Sequence, residues 1–232
     1  MRTTKELLEG EISLEGRIVD ASNATLYGTI SSGDEKFAIV YKPIAGERPL
    51  WDFPDGNLAS REVASYLISV AGGFNCVPTT VLRDGPFGLG AIQEWIDVDL
   101  NIDPISLGQS NAAGIRNIAL FDVIVNNTDR KFGHILPLTE ERIYGCDHGV
   151  TFHEDFKLRT VIWQFAGEEL SKIEHERLDA VETWIKNDGH TQLNELLTET
   201  EVNSTLERID ILRKSGFPMP SEEWPAVPWP PV

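Results

Sequence analysis

Four charged side chains, far apart along the chain, are of types that could do chemistry together: Lys42, Glu62, Asp129 and Asp147. Lys42 ends the apolar run AIVYK, and a lysine there needs a partner for its charge. Glu62, on the next expected helix, is the candidate partner. Asp129 lies in FDVIVNNTDRKFGHIL (121–136), where an apolar run stops at two asparagines and a new apolar pair, Ile135-Leu136, begins. Loops held between rigid elements in this way are favoured places for chemistry. Asp147 closes RIYGCDHG, with Gly149 expected to let the chain turn sharply beside that carboxylate. Together these are the working parts of phosphoryl transfer. The lysine steadies nucleotide phosphates, one aspartate accepts the acceptor hydroxyl's proton, and the other holds a metal. Such transfer needs positioning and positive charge more than covalent chemistry, so few side chains carry it. Taken singly each has a plainer reading: a snorkelling strand-end lysine, a solvated helix glutamate, a loop-capping aspartate, an ordinary turn. Their order and company point to a nucleotide site.

The elements that must position them follow from the pattern. EGRIVDASNATLYGTI gives two short apolar runs around a polar turn, and KFAIVYKP a third closed by Pro43. LASREVASYLISVAG carries Leu58, Val63, Tyr66, Leu67 and Val70 near helical spacing, with Gly72-Gly73 as the stop. VPTTVLRD, the turn GPFG and LGAIQEWID read as a hairpin. From about residue 98 the pattern turns helical: SNAAGIRNIALFDVIVNN, then two short strands near Asp129 and Asp147, then EELSKIEHERLDAVETWIKN and TETEVNSTLERIDILRKSG. The last two are expected to lay an apolar stripe (Ile173, Leu178, Val181, Trp184, Ile185) under a solvated face. The tail EEWPAVPWPPV is too proline-rich for a helix or a central strand. Strands first and helices second imply an α+β protein of two lobes, 1–97 and 98–220, with a Pro-rich tail at 221–232.

With 232 residues and 41% apolar content the chain can bury a sizeable core. Its net charge of −17 argues against bulk affinity for nucleic acid or anionic membrane. Cys76 and Cys146 lack metal-type spacing and read as small buried hydrophobes in a reducing compartment. With no apolar leader and no run approaching a membrane span, a cytoplasmic protein without integral membrane contact is expected.

The segments VYKP, REVASYL, VPTT, NNTDRKFGHIL and CDHGVTFH together resemble the phosphatidylinositol 3/4-kinase superfamily, especially bacterial proteins similar to type II phosphatidylinositol 4-kinases, with HipA-type kinases a more distant likeness. The resemblance runs from about residue 16 to 165. It implies a bilobal, protein-kinase-like (PI3/4-kinase-like) fold with a strand-rich first lobe and a helical second lobe. It also implies ATP as phosphoryl donor, a divalent metal (magnesium or manganese), and a hydroxyl acceptor. Carried onto this chain, Lys42 contacts the phosphates, Glu62 orients it, Asp129 is the catalytic aspartate and Asp147 a metal ligand. The turn DASNAT takes the place of the phosphate loop; lacking glycine, it would rely on the amides of Ser22, Asn23 and Ala24. Glu94 and Ile96 in IQEWI would offer backbone groups to adenine. Two departures stand out. The histidine after Asp-Arg is Lys131 here, and the metal-binding asparagine falls at His134. Either His134 holds a metal other than magnesium, or Asp147 acts largely alone, or Asn126 and Asn127 fill in.

Other segments invite two readings. In ERPLWDFPDG, Trp51 and Phe53 are expected to pin a loop onto the first lobe, the alternative being a lid or an acceptor-binding segment. Lys157 and Arg159 in FKLRTVIWQFAG read as a packed helix start or as a cradle for an anionic acceptor group. His148 and His153 read as structural or as the site's edge. A protein hydroxyl or a soluble polyol suits this small acidic chain better than lipid. Against the phosphotransferase stand a nucleotide-binding pseudokinase that regulates a partner and a plain interaction domain.

Overall fold

A computed structural model describes residues 2–18, 23–33 and 35–232. The first half of the chain builds a five-stranded antiparallel sheet in the order β1-β2-β3-β5-β4. Its strands are β1 (Glu11–Arg17), β2 (Leu26–Ser32), β3 (Glu35–Pro43), β4 (Thr80–Gly85) and β5 (Gly88–Glu94). The short helix α1 (Thr4–Glu9) precedes them, and α2 (Leu58–Ala71) lies between β3 and β4. Strand β1 begins ahead of the apolar run read from the sequence. It is an edge strand in which half-buried Ile12 and Leu14 alternate with exposed Glu11, Ser13 and Glu15, so its apolar signal is weak. Helix α1 was not expected. Thr3 and Glu6 cap it reciprocally, and Leu7 anchors it in the core.

The side-chain period of two divides β3 between two environments. Phe37, Ile39 and Tyr41 join Leu7, Ile30, Val81 and Ile92 in a core on the α1 side of the sheet. Lys42 therefore points to the opposite face, where Ala91 packs against Ala59 and Val63 of α2. Helix α2 is buried nearly all round. Ala64, Tyr66 and Ile68 belong to the large core of the helical half, while Val70, expected on the apolar stripe, is exposed.

That large core surrounds α4 (Ala113–Val125), whose buried residues include Ile115, Ile118, Leu120, Phe121, Ile124 and Val125. Around it stand α3 (Pro104–Gly108), the hairpin β6 (Ile135–Pro137) and β7 (Ile143–Gly145), α5 (Lys172–Lys186), α6 (Gly189–Asn194) and α7 (Glu199–Ser215). Serine and threonine capping boxes start α5 and α7. Leu178, Val181 and Ile185 of α5 are buried as expected; Ile173 is exposed, because the buried face runs through Glu174, Leu178, Val181 and Ile185 and Ile173 lies off it. The proline-rich tail forms no helix or strand. It lies along residues 159–163, where Ala226 O accepts from Thr160 N–H (3.0 Å) and the Trp163 indole (2.9 Å). Farther on, Pro231 O accepts from Phe132 N–H, 2.9 Å away. The fold is thus mixed α and β, strand-rich first and helical second, as expected. Among the described residues no helix is long and apolar enough to cross a membrane.

Candidate functional site

Lys42, Glu62 and Asp147 meet between the sheet and the helical half. The Lys42 ammonium donates to a Glu62 carboxylate oxygen and, at 2.9 Å, to Asp147 Oδ1. Glu62 is buried to 1% exposure because α2 is sandwiched between sheet and helices, so it is no solvated helix residue. Burial works against the charge on Lys42, but Asp147 and Glu62 outweigh it and hold the ammonium above the ordinary lysine range. The same ammonium holds the Asp147 carboxyl well below the usual carboxylate range. Desolvation pushes the buried Glu62 carboxyl upward against the pull of Lys42.

Asp147 reaches this position by an unusual backbone. Its φ is +59°, in the left-handed region that costs a non-glycine residue roughly 1–2 kcal/mol. Asp147 itself makes the sharp turn that was expected of Gly149. The glycine serves close approach instead: a Cβ there would lie 3.2 Å from Leu58 Cβ and 3.8 Å from Glu62 Oε1, at the face of α2. Asn126 (φ +52°) and fully buried Phe152 (φ +65°) adopt the same strained region, so three of these residues flank one site.

Asp129 is placed by its neighbour. The Arg130 guanidinium is fully buried and forms a bidentate pair with buried Asp122 of α4, Nε to Oδ2 and Nη2 to Oδ1 both 2.8 Å. Its remaining donors reach Cys146 O (2.8 Å), His134 O (3.4 Å) and His148 Nε2 (2.7 Å). One cation therefore ties α4 to the loop of Asp129, the turn of His134 and the loop of Asp147. Gly145 leaves room for it, since a Cβ would come within 3.1 Å of Nη2. Because His148 Nε2 accepts from an arginine, its ring is neutral, and burial together with the Arg130 charge holds its pKa well below the usual histidine value.

The side chains of Asn126 and Asn127 both hydrogen-bond within the loop around the site. Asn126 Nδ2 donates to His153 O (2.9 Å) and Asp155 O (2.7 Å), while its Oδ1 accepts from Lys157 N–H. Asn127 Nδ2 donates to Asp122, and its Oδ1 accepts from Asp129 N–H at 3.0 Å. Lys131, noted in the sequence only as a departure, sits 3.1 Å from Asp129 Oδ2 and keeps a positive charge beside that carboxylate. Arg208 of α7 covers the end of α4 by donating to Ile124 O (3.0 Å), and burial pushes its pKa down to about 9.

Asp129, His134 and Asp147 each present a ligand atom within 4.8 Å of the others, and His134 Nε2 lies 3.4 Å from Asp147 Oδ2. Burial lowers the His134 pKa, favouring the neutral ring that a metal requires. Two carboxylates and one imidazole fit a divalent ion. The nitrogen donor suits manganese or another transition metal better than magnesium.

The nucleotide-side residues are placed less simply. Ser22 lies outside the described residues. The Ala24 amide, expected to face phosphate, donates to Gly46 O at 3.1 Å, and Asn23 Oδ1 accepts from Arg48 N–H. Glu94 N–H is likewise taken by Thr79 O, whereas among the described residues nothing accepts from Ile96 N–H. In the loop after β3, Phe53 is pinned under the Arg61 guanidinium (4.9 Å) and edge-on to His153 (5.3 Å), whereas Trp51 is 91% exposed and meets the Lys157 ammonium, 6.0 Å from its ring centre. Two surface hollows, of about 760 and 650 Å³, lie on the helical half, around Trp184 and beside α3.

No family model matches the chain. It is 39% identical over 199 residues to Protein Rv2133c of Mycobacterium tuberculosis (strain ATCC 25618 / H37Rv), a match spanning 71% of this chain and 72% of that protein. The chain belongs to that protein's family. Its fold is similar to the crystal structure of a Helicobacter pylori proinflammatory kinase, CtkA (TM-score 0.50, 12% identity, 90% of this chain and 94% of that one). It is also similar to the golgi casein kinase (TM-score 0.50, 12% identity, 91% and 72%). At that identity the likeness concerns architecture, and the architecture is kinase-like.

Sequence reading missed Asp122, Lys131 and Arg61 as parts of the site. Asp122 carried the same signal as Lys42, a charge inside an apolar run (LFDVIV), and Arg130 is its partner. Replacing Arg130 by Met strands the Asp122 carboxylate in the core and is expected to cost about 3–5 kcal/mol in urea unfolding. His148 sets a pH dependence. With its folded pKa depressed, its contribution is fully present above the unfolded value near 6.5 and falls as pH drops below it, by up to about 1.4 kcal/mol per pH unit. His148→Gln, which can still accept from Arg130, should therefore flatten the fall in Tm between pH 7 and 5.5 relative to wild type.

Proposed function

We propose that this chain is an ATP-dependent phosphotransferase that moves the γ-phosphate to a hydroxyl of a protein or of a soluble polyol or inositol-type acceptor. The observation that carries this reading is the Lys42 ammonium held between Glu62 and Asp147, with Asp129 within ligand distance of Asp147. The kinase-like fold of the structural neighbours supports it. Within that fold we place the chain nearest the phosphatidylinositol 3/4-kinase superfamily and the type II 4-kinase-like bacterial proteins. Residues 1–97 would bind the nucleotide phosphates, 98–220 would carry the catalytic loop and metal site, and 221–232 the Pro-rich tail. We place it in the cytoplasm.

In this reading Lys42 meets the nucleotide phosphates, and Glu62 keeps it aimed at them. Asp129 accepts the acceptor hydroxyl's proton; Lys131 beside it adds positive charge where the transferring phosphoryl group builds up negative charge. Asp147 and His134, with Asp129 near, would hold the divalent ion. When bound, that ion neutralises phosphate charge. Asn23 would line the phosphate side, and Ile96 N–H, for which there is no acceptor among the described residues, would donate to adenine. Glu94 would contribute its carbonyl, since its amide is occupied.

A second reading, a nucleotide-binding pseudokinase that regulates a partner, is favoured by the engaged Ala24 amide and by the imidazole where magnesium sites use oxygen. Thermal-shift measurements with ATP and manganese or magnesium test both, because both require stabilisation by nucleotide. ADP production separates them. Asp129→Asn should lower turnover roughly 10²–10⁴-fold while leaving the nucleotide shift in place. Turnover that is absent in wild type despite binding selects the pseudokinase. His134→Asn should gain magnesium-supported turnover, and an unchanged metal preference removes His134 from the site.

A further inference from the structure

Next to Glu62 on α2 stands a second buried charge, Arg61, at 2% exposure. Successive helix residues point about 100° apart. Glu62 therefore faces the Lys42 cleft while Arg61 faces the helical half. There its guanidinium pairs with Glu201 of α7 and donates to Thr151 O (2.9 Å) and Asp55 O (3.0 Å), with the Phe53 ring 4.9 Å away. Each partner is itself fixed. Glu201 Oε2 is held by the α7 capping box, accepting from Thr198 N–H at 2.8 Å, which leaves Oε1 for the arginine. Thr151 is fully buried, and its hydroxyl donates to His148 O at 2.7 Å, one residue beyond Asp147.

One guanidinium thus holds both carboxylates that Lys42 needs, through a neighbour one residue from Glu62 and a carbonyl four residues past Asp147. We infer that Arg61 is a positioning residue, clamped by Glu201, that keeps α2 where Glu62 and Asp147 both reach Lys42. The catalytic consequence rests on the phosphotransferase reading; the clamp itself does not. Kinases commonly control activity by moving the helix that carries this glutamate. Here the helix is tied in by charges already present in the unmodified chain, which also tie in the Trp51-bearing loop through Asp55 and Phe53.

Amide hydrogen exchange on the full nucleotide-free chain tests the clamp, alongside thermal shift with manganese-ATP. Arg61→Met should speed exchange roughly tenfold or more in α2 and in residues 148–152 together, while α4 keeps its wild-type protection. Glu201→Gln, which keeps the side chain's shape, should give the same pattern more weakly and carries the test if Arg61→Met does not fold. The nucleotide-induced rise in Tm should shrink in the same order. Exchange that rises everywhere alike, or in α2 without residues 148–152, overturns the clamp. So does an undiminished nucleotide shift in a variant whose α2 has loosened. If wild-type protein shows no nucleotide shift while the exchange pattern appears, the clamp stands and the phosphotransferase reading falls.

Discussion

A buried guanidinium has no cheap way to exist in a protein core, and Arg130 shows how its needs organise the structure around it. Asp122 meets its charge, and the carbonyls of His134 and Cys146 and the His148 ring take its remaining donors. Leaving any of these unmade would cost more than the net worth of a single hydrogen bond, because the stranded group would remain desolvated. The loop of Asp129, the turn of His134 and the loop of Asp147 are therefore fixed to α4 and to one another before any ligand arrives. Such preorganisation is what phosphoryl transfer asks of a protein.

The other half of the site is delivered by β3 and α2. Strand alternation turns Lys42 away from the α1-side core, and only a helix buried on several sides could offer it a desolvated glutamate. Lys42 in turn reaches Asp147 on the helical half, so this small ion cluster is also a fastening between the two halves of the molecule. Buried ion pairs are poor sources of net stability, but removing one partner strands the other's charge, and the Arg61–Glu201 pair places the same constraint on the far side of α2.

Local strain is concentrated at the same place. Asn126, Asp147 and Phe152 hold left-handed backbone within a short stretch of space, and the surrounding hydrogen bonds over-determine them. The proline-rich tail adds a further tie, lying along residues 159–163 and reaching the turn of Phe132. That region therefore has far more constraints than its lack of regular secondary structure would imply.

The residues alone were enough for a strand-rich first part and a helical second part, the hairpin before the helical half, the α+β class and Glu62 as the candidate partner of Lys42, because periodicity and an uncompensated charge in an apolar run are local signals. Weak amphipathic edges hid β1 and α1, whose burial depends on what the sheet packs against. The tertiary structure decided everything that rests on neighbours distant in sequence. It assigned Asn126 and Asn127 to holding a loop, engaged the Ala24 amide with Gly46, and gave the turn at Asp147 to the aspartate itself. It also set His134 beside two carboxylates and found Arg61 its partner 140 positions away at Glu201. Hydrogen-bonding groups have only so many donors and acceptors, and which partners consume them is known only when the chain has closed on itself.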